Sequence, residues 1–484
     1  MHPCPCRAKV DALAGIAQTE PMDAAGMDGR QRATRAGQAH SAAERLAGHD
    51  VVGVAMTWVD NSGITRVKTV PPAKLESAAA WGVGASPVFD AFLLDDSIIS
   101  GRYAGSPVGD LRLHPDLNRL TVLAAQPGWA WAPADRYNQD GEVHPQCARS
   151  LARSMVGRLR AAGYEASMAF EVEWAIGRAG SDGFVPACSG PAYGMTRLVE
   201  LSAYSRDVLT ALAAEGVTVD QFHPEYGAGQ LEVSVAAEDP MAAADTTVLV
   251  RETVRAVGLA HGLRTSFSPK VLAEGVGNGG HVHLSLQRQG TPVMSGAEGV
   301  FGLTGEASSF IAGLLARLPA LLAVGCPTTA SYLRLVPSHW AGAFACWGRE
   351  NREAAVRLVT GPVGSGSWAA NVEVKCFDAA ANPYLVVAGL LAAGIAGLEE
   401  SARLPEPVDV DPGSLDDAAR HERGIVALPG SLTEAADLFE ADAVLTAAFG
   451  TDLAATIADL RRAEAELMAG KSPDEIAALT RWKH

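Results

Sequence analysis

Positive charge is what this sequence has too little of. Its 39 Lys and Arg face 55 Asp and Glu, a formal charge of −16. That balance argues against nucleic acid and against an anionic membrane surface as partners. It leaves nucleotides open, because a metal ion can bridge acid to phosphate. Cysteine is scarce and unpatterned: seven residues, with no Cys-x-x-Cys pair and a single proline between Cys4 and Cys6. No disulfide framework is expected, and the usage suits a reducing cytoplasm. No apolar h-region stands near Met1, so a secretory signal is not expected. The most apolar run, 384–398, is shorter than the ~20 residues a membrane span needs and ends at Glu399 and Glu400. With Asn382-Pro383 as a start signal, it reads as a buried helix. The remaining composition, 48% hydrophobic and 19% charged, is that of a globular protein with core enough for two or three domains.

Against this ordinary background, four short segments stand out. Each alternates apolar residues with acids or histidines, the period of a β-strand. Met168, Phe170, Val172 and Trp174 alternate with Glu171 and Glu173. Leu231 and Val233 flank Glu232, and Val282, Leu284 and Leu286 alternate with His281, His283 and Ser285. Val372, Val374 and Cys376 alternate with Glu373 and Lys375. If these strands share a sheet, one of its faces carries at least four Glu and two His. Carboxylates so crowded repel and take up protons unless cations balance them. The pattern therefore predicts a metal-lined catalytic face.

Along the chain, residues 1–47 are rich in Ala, Gly, Arg and Gln and read as a disordered or weakly ordered extension. Disorder is expected to about Thr34, then a helix over 41–46. A hairpin is predicted over 51–70, turning at Asn61-Ser-Gly63, with strand-like pieces at 87–94 and 120–125. A boundary near residue 143 separates an N-terminal domain, 48–143, from a larger one, 144–484. There the spacing of Ala148, Leu151, Ala152, Met155 and Leu159 predicts a helix over 147–162, ended by Gly163. Further helices are expected near 196–215, 240–261, 306–323, 383–401, 432–440 and 452–468. Helices interspersed with antiparallel-type strands point to an α+β fold.

The segments extend into longer motifs: Phe170-Glu-Val-Glu-Trp174, His223-Pro-Glu-Tyr-Gly-Ala-Gly-Gln-Leu-Glu232 and Asn278-Gly-Gly-His-Val-His-Leu-Ser285. After them come Arg334-Leu-Val-Pro337, Glu350-Asn-Arg-Glu-Ala-Ala-Val-Arg357 and Asn371-Val-Glu-Val-Lys375, running into Ala381-Asn-Pro-Tyr384. In this order they resemble the glutamine synthetase superfamily, from about Val51 to the end of the sequence. The stretch from Trp340 to Arg352 is similar to an actinobacterial branch that includes γ-glutamylpolyamine synthetases. The resemblance implies an N-terminal β-grasp domain, a catalytic domain built on an antiparallel sheet, and stacked-ring homo-oligomers, usually dodecamers, with active sites between subunits. It implies ATP and two or more Mg²⁺ or Mn²⁺ ions per site, with glutamate and an amine as substrates. Glu173, Glu225 and Glu232 match the ligands of one ion, and Glu171, His281 and Glu373 those of a second. His283 and Ser285 fall near ATP. Arg334 matches the residue holding the α-carboxylate of glutamate; Arg352 and Arg357 match those that neutralise the transferring phosphoryl group. Asn278 and Gly279 match the loop that reads the amino-acid end of glutamate. The loop at 93–97 is the candidate acidic loop lent to a neighbouring subunit, with Asp95 as its acid.

The departures from the family pattern bear on the substrate. Ammonia-using members carry a flap Glu six residues after the Arg-Leu-Val-Pro arginine; here that residue is Trp340. A tryptophan takes no proton but offers a π face to a cation. Lys375 replaces an arginine, keeping the charge and losing the fork. The loop between Asn278 and His281 looks two residues shorter, and Trp368 and Asn371 replace a Lys and an Arg near ATP. The expectation is a cytoplasmic ligase that activates glutamate as γ-glutamyl phosphate and passes it to a polyamine or other organic amine. An ammonia-using glutamine synthetase and a non-catalytic nucleotide- or glutamate-binding member remain as alternatives.

Overall fold

The structure, a computed structural model, describes residues 27–103, 106–180 and 183–484. The expectation for the first 26 residues lies outside the described ones. Helix α1 (Gly29–Ala47) opens with a capping box between Asp28 and Gln31. It replaces the disorder expected to about Thr34. Small side chains do the burying: Ala39, Ala42 and Leu46 meet Val54, Leu75 and Ala79. Arg35 donates to the carbonyls of Ala79 and Pro115, and Arg32 lies 4.4 Å from the Trp81 ring centroid. A segment poor in large apolar groups can thus be ordered by methyls and arginines.

Strands β1 (Gly53–Val59) and β2 (Thr65–Val70) form the expected hairpin. Buried Asp60 holds its turn, one carboxylate oxygen accepting from the N–H groups of Ser62 and Ile64. With β3 (Val83–Ala85), β4 (Leu111–Pro115), β5 (Thr121–Val122) and β6 (Trp129–Tyr137) they make a mixed sheet in which β6 runs parallel to β1. Helix α2 (Leu75–Trp81) packs on this sheet in the β-grasp manner. The segment expected as a strand at 87–94 is instead the 3₁₀ turn Pro87–Ala91, begun by a proline at its first position. The piece at 120–125 shrinks to β5.

After helix α3 (Ala148–Ala161) comes a ten-stranded sheet. Its strands are β7 (Tyr164–Arg178), β8 (Val219–Pro224), β9 (Gln230–Val235), β10 (Leu263–Ser266), β11 (Val282–Arg288), β12 (Thr291–Pro292), β13 (Phe344–Arg349), β14 (Ala354–Val359), β15 (Asn371–Val374) and β16 (Val426–Ala427). The order is β16-β13-β14-β15-β11-β7-β9-β8, with β10 on β7 and β12 on β11. The pairing is antiparallel as expected, except that β13 and β14 run parallel. The fold is α+β. Phe170, Val172, Trp174, Val233, Val282, Leu284, Val356, Val372 and Val374 are buried in one core with the helices Pro240–Ala260, Gly305–Gly325 and Pro383–Glu399. Glycines let two of these helices touch: a Cβ on Gly313 would lie 2.6 Å from Gly397 Cα. Helix Gly305–Gly325 is long and apolar enough to cross a membrane, but 78% of its apolar window is buried inside the protein.

Polar bonds clamp the two sheets' surroundings together. Buried Arg149 of α3 reaches Asp116 and Asp135 on one side and Asp245 on the other. Asn382 donates to the carbonyls of Val59 and Asp60, and Arg461 to that of Asn61.

Candidate active site

The apolar side chains of β7, β9, β11 and β15 are committed to the core, so their alternate residues must share the opposite face. Register then chooses the neighbours. Glu173 stands across from Glu232, His283 across from Glu373, and Arg357 of β14 across from Glu373 on its other side. His281, just before β11, is tied to β7 by its carbonyl, which accepts the N–H of Glu171 at 2.9 Å. Glu225 lies past the end of β8, its N–H on the carbonyl of Gln230.

The six expected metal ligands thus converge, in two groups. In one, ligand atoms of His223, Glu225 and Glu232 lie within 4.8 Å of one another; in the other, those of Glu171, His283 and Glu373 do. Each trio differs from expectation by one member: His223 stands in the first where Glu173 was expected, and His283 in the second where His281 was. His283, expected near ATP, joins the second trio, because its place opposite Glu373 leaves Nε2 3.2 Å from Glu171 Oε1. His281 links the trios: Nδ1 is 3.1 Å from Glu171 and 3.5 Å from Glu373, while Nε2 is 3.8 Å from Glu173. Glu173 is held by the N–H of Gly279 at 2.9 Å and by Gln230 Nε2 at 2.8 Å.

The electrostatics follow the crowding. Burial, then the neighbouring Glu171, Glu173 and Glu225, push the Glu232 carboxyl up to about 10. Burial raises Glu173 as well, with Glu225 adding to the effect. Burial opposes ionisation of Glu373 too, but Lys375, His281 and His283 outweigh it and hold that carboxyl at about 2. Glu171 is lowered against burial by hydrogen bonds to His281 and His283, and Glu225 by those from His223 and Tyr193. A carboxyl pushed up by burial and by the carboxylates that ring it marks a place built for positive charge. Carboxylates with imidazoles suit hard divalent cations, and the residues fit that group.

The other expected residues divide. Arg357 donates Nη1 to Glu373 at 2.9 Å and Nη2 to Glu350 at 2.6 Å. Lys375, buried, puts Nζ 2.9 Å from Glu373 Oε1. Arg334 is buried beneath the site, with Nη2 on the carbonyls of Cys376 at 2.7 Å and Phe377 at 2.6 Å, and with Nε unpartnered. Asn278 is buried as a post, donating to Ser268 O and accepting from Gln230. Gly279 has no room for a side chain: a Cβ there would sit 2.8 Å from Glu173 Oε1. Ser285 lies farther along β11, opposite Ser167. Arg352 is exposed in the β13–β14 turn, and Trp340 is exposed on the loop before β13. Asp95 is not part of this face in its own chain; it accepts from the N–H and Oγ of Ser97, in a loop whose Leu94 packs on Ala330, Met468 and Ile476.

Sequence reasoning did not single out His223, Gln230, Tyr193 or Glu353, and it read Asn371 only as a replacement near ATP. Tyr193 donates to Glu225 at 2.8 Å and stacks on His223. Asn371 Oδ1 is 2.8 Å from His283 Nδ1 and orients that ring. Glu353 accepts the backbone N–H of Trp340 at 2.7 Å. The available signals were the positions of His223 and Gln230 inside the His223-to-Glu232 motif and of Glu353 inside the Glu350-to-Arg357 motif.

Comparison with known proteins bears on the family of the chain. The family model of the glutamine synthetase catalytic domain matches residues 145–477. The chain is 57% identical over 442 residues to a gamma-glutamylpolyamine synthetase of Streptomyces coelicolor, covering 91% of this chain and 95% of that one. It is 29% identical over 374 residues to a glutamate–isopropylamine ligase of a Pseudomonas species, covering 74% and 81%. A crystal structure described as a novel glutamine synthase homologue superposes with a TM-score of 0.79 at 35% identity, covering 88% of this chain and 97% of that one. The chain belongs to the glutamine synthetase family.

Proposed function

We infer that the protein is an ATP-dependent ligase that joins the γ-carboxylate of glutamate to an amine. The observation that carries this reading is the pair of acidic clusters on one sheet face, with Arg357 and Lys375 both paired to Glu373 of the second cluster. Glu171, His281, His283 and Glu373 would hold one cation, and Glu173, His223, Glu225 and Glu232 another. When bound, such cations supply charge neutralisation for ATP phosphates.

The chain's own residues supply the rest. A carboxylate is a poor electrophile, so it is activated as an acyl phosphate before an amine attacks. Arg357 and Arg352 meet the charge of the transferring phosphoryl group, and the guanidinium plane suits its oxygens. Arg334, fixed by the peptide carbonyls of Lys375, Cys376 and Phe377, is pre-set to receive the α-carboxylate of glutamate. Gly279 keeps the approach to Glu173 and His281 open. Trp340 stands where ammonia-using members carry a proton-accepting Glu. Its exposed indole gives a cation or alkyl chain about 0.5–2 kcal/mol of attraction. The amine is therefore organic, with a polyamine favoured by the 57% identical relative. The reading places the domain boundary near residue 143. It places the chain in a homo-oligomeric ring, where Asp95 serves a neighbour's amine site, and in the cytoplasm, where the five described cysteines stay free.

The test is phosphate release with glutamate, ATP and Mg²⁺ across ammonia, monoamines and polyamines. Organic amines are expected to exceed ammonia. Ammonia exceeding every organic amine would defeat the substrate assignment, and no release with any amine would defeat the ligase reading.

A further inference from the structure

The loop before β13 has an unusual build. Ser338 and Trp340 both sit in the left-handed backbone region, at φ 60° and 57°. Non-glycine residues adopt it only at a cost and stay there only when held. What holds Trp340 is Glu353, whose Oε1 accepts the Trp340 N–H at 2.7 Å. Ser338 is held by Asp411, which accepts its hydroxyl at 2.7 Å. Glu353 is 8% exposed and Trp340 55% exposed, so a nearly buried acid holds the backbone of a residue whose indole faces out.

This unit adjoins the acidic face. Gly342 backs onto Lys375, where a Cβ would lie 3.2 Å from Lys375 Cβ, and Lys375 reaches Glu373 at 2.9 Å. The Lys375 N–H also bonds Ala355 O, two residues from Glu353. Glu353 Oε2 makes no hydrogen bond among the described residues, which leaves that oxygen for something else. Burial raises the Glu353 carboxyl and Asp411 raises it further; the Trp340 N–H, Lys375 and His339 act the other way. Two acids and a π face around one backbone kink favour a cationic group that brings its own hydrogen-bond donors.

Building on the ligase reading, we propose that Glu353 and Trp340 determine specificity by seating the distal ammonium of a di- or polyamine while its other nitrogen attacks. Glu353 acts twice: one oxygen positions the indole through the backbone, and the other faces the second charge. A monoamine of the same length gains only the apolar part of this seat.

The experiment compares 1,4-diaminobutane with n-butylamine at saturating glutamate, ATP and Mg²⁺, in the wild type and in Glu353→Gln. Glutamine still accepts the Trp340 N–H but carries no charge. The ratio of kcat/KM for diamine over monoamine is expected to fall about tenfold or more, through the diamine KM, and Glu353→Asp is expected to restore part of it. In the wild type, added salt is expected to raise the diamine KM more than the butylamine KM; this comparison stands even if the variants fail to fold. A ratio unchanged in Glu353→Gln, an equal kcat loss on both amines, or equal salt effects would overturn the proposal. Absence of amine-dependent phosphate release in the wild type is a different outcome, since it removes the ligase reading and this inference with it.

Discussion

At the scale of single residues, the site is a balance between like charges and the groups that relieve them. Glu232 is the strained member, crowded by Glu171, Glu173 and Glu225 and pushed up to about 10. Glu232→Gln removes an acceptor of positive charge but no packing volume. Its Mg²⁺-induced thermal stabilisation is expected to shrink and its phosphate release to fall by about tenfold or more, the loss typical of a disturbed metal shell, with the fold intact by circular dichroism. Equal Mg²⁺ responses in variant and wild type would remove Glu232 from the site. The strand alternation made Glu171, Glu173, Glu232, His281, His283 and Glu373 legible, because burying Phe170, Val172 and Val282 leaves their neighbours only one face. Glu225 was not legible that way. It follows Pro224 beyond the strand end, where period two no longer applies, and it was found through the motif resemblance. The pairing of Glu353 with Trp340 was invisible because the two are 13 residues apart across a turn whose path no pattern sets.

At the scale of elements, the long helices of the second region were readable from their apolar spacing, and the main surprises lie where helix and strand signals are short. The segment at 87–94 has strand-like residues, yet Pro87 starts a 3₁₀ turn. Helix α1 escaped notice because its buried face is mostly alanine. Helix Thr451–Leu467 carries a testable charge. Glu464 is fully buried, and burial, against the pull of Arg461, pushes its carboxyl up to about 7. In the unfolded chain the same group ionises near 4.5. Its folded form therefore holds a proton more tightly, so this contribution to stability is present at low pH and lost as pH rises through 7. Glu464→Gln mimics the protonated group. It is expected to match the wild type in chemical denaturation at pH 5 and to exceed it by about 2–3 kcal/mol at pH 8. Equal stabilities at pH 8 would contradict this.

At the scale of the whole molecule, the acidic face depends on how the two sheets' surroundings are joined. Arg149 is buried among Asp116, Asp135 and Asp245, so Arg149→Met leaves three acids short of their counter-charge. The expected cost is about 3–5 kcal/mol in denaturant unfolding; a cost below 1 kcal/mol would show the joint to be held otherwise. Asp95 belongs to the same scale. It lies off the acidic face of its own chain, so its proposed role requires a second subunit. Asp95→Asn is expected to lower amine turnover while leaving the KM for ATP unchanged, and light scattering is expected to show a homo-oligomer. A fully active monomer would rule out a shared site.

The most direct measurement of the central claim is a Mn²⁺ titration in saturating non-hydrolysable ATP analogue, followed by electron paramagnetic resonance. Two or more ions bound per chain in the wild type, with at least one lost in both Glu225→Ala and Glu373→Ala, is the result this account expects. Free Mn²⁺ throughout the titration, or binding indifferent to both substitutions, would contradict it.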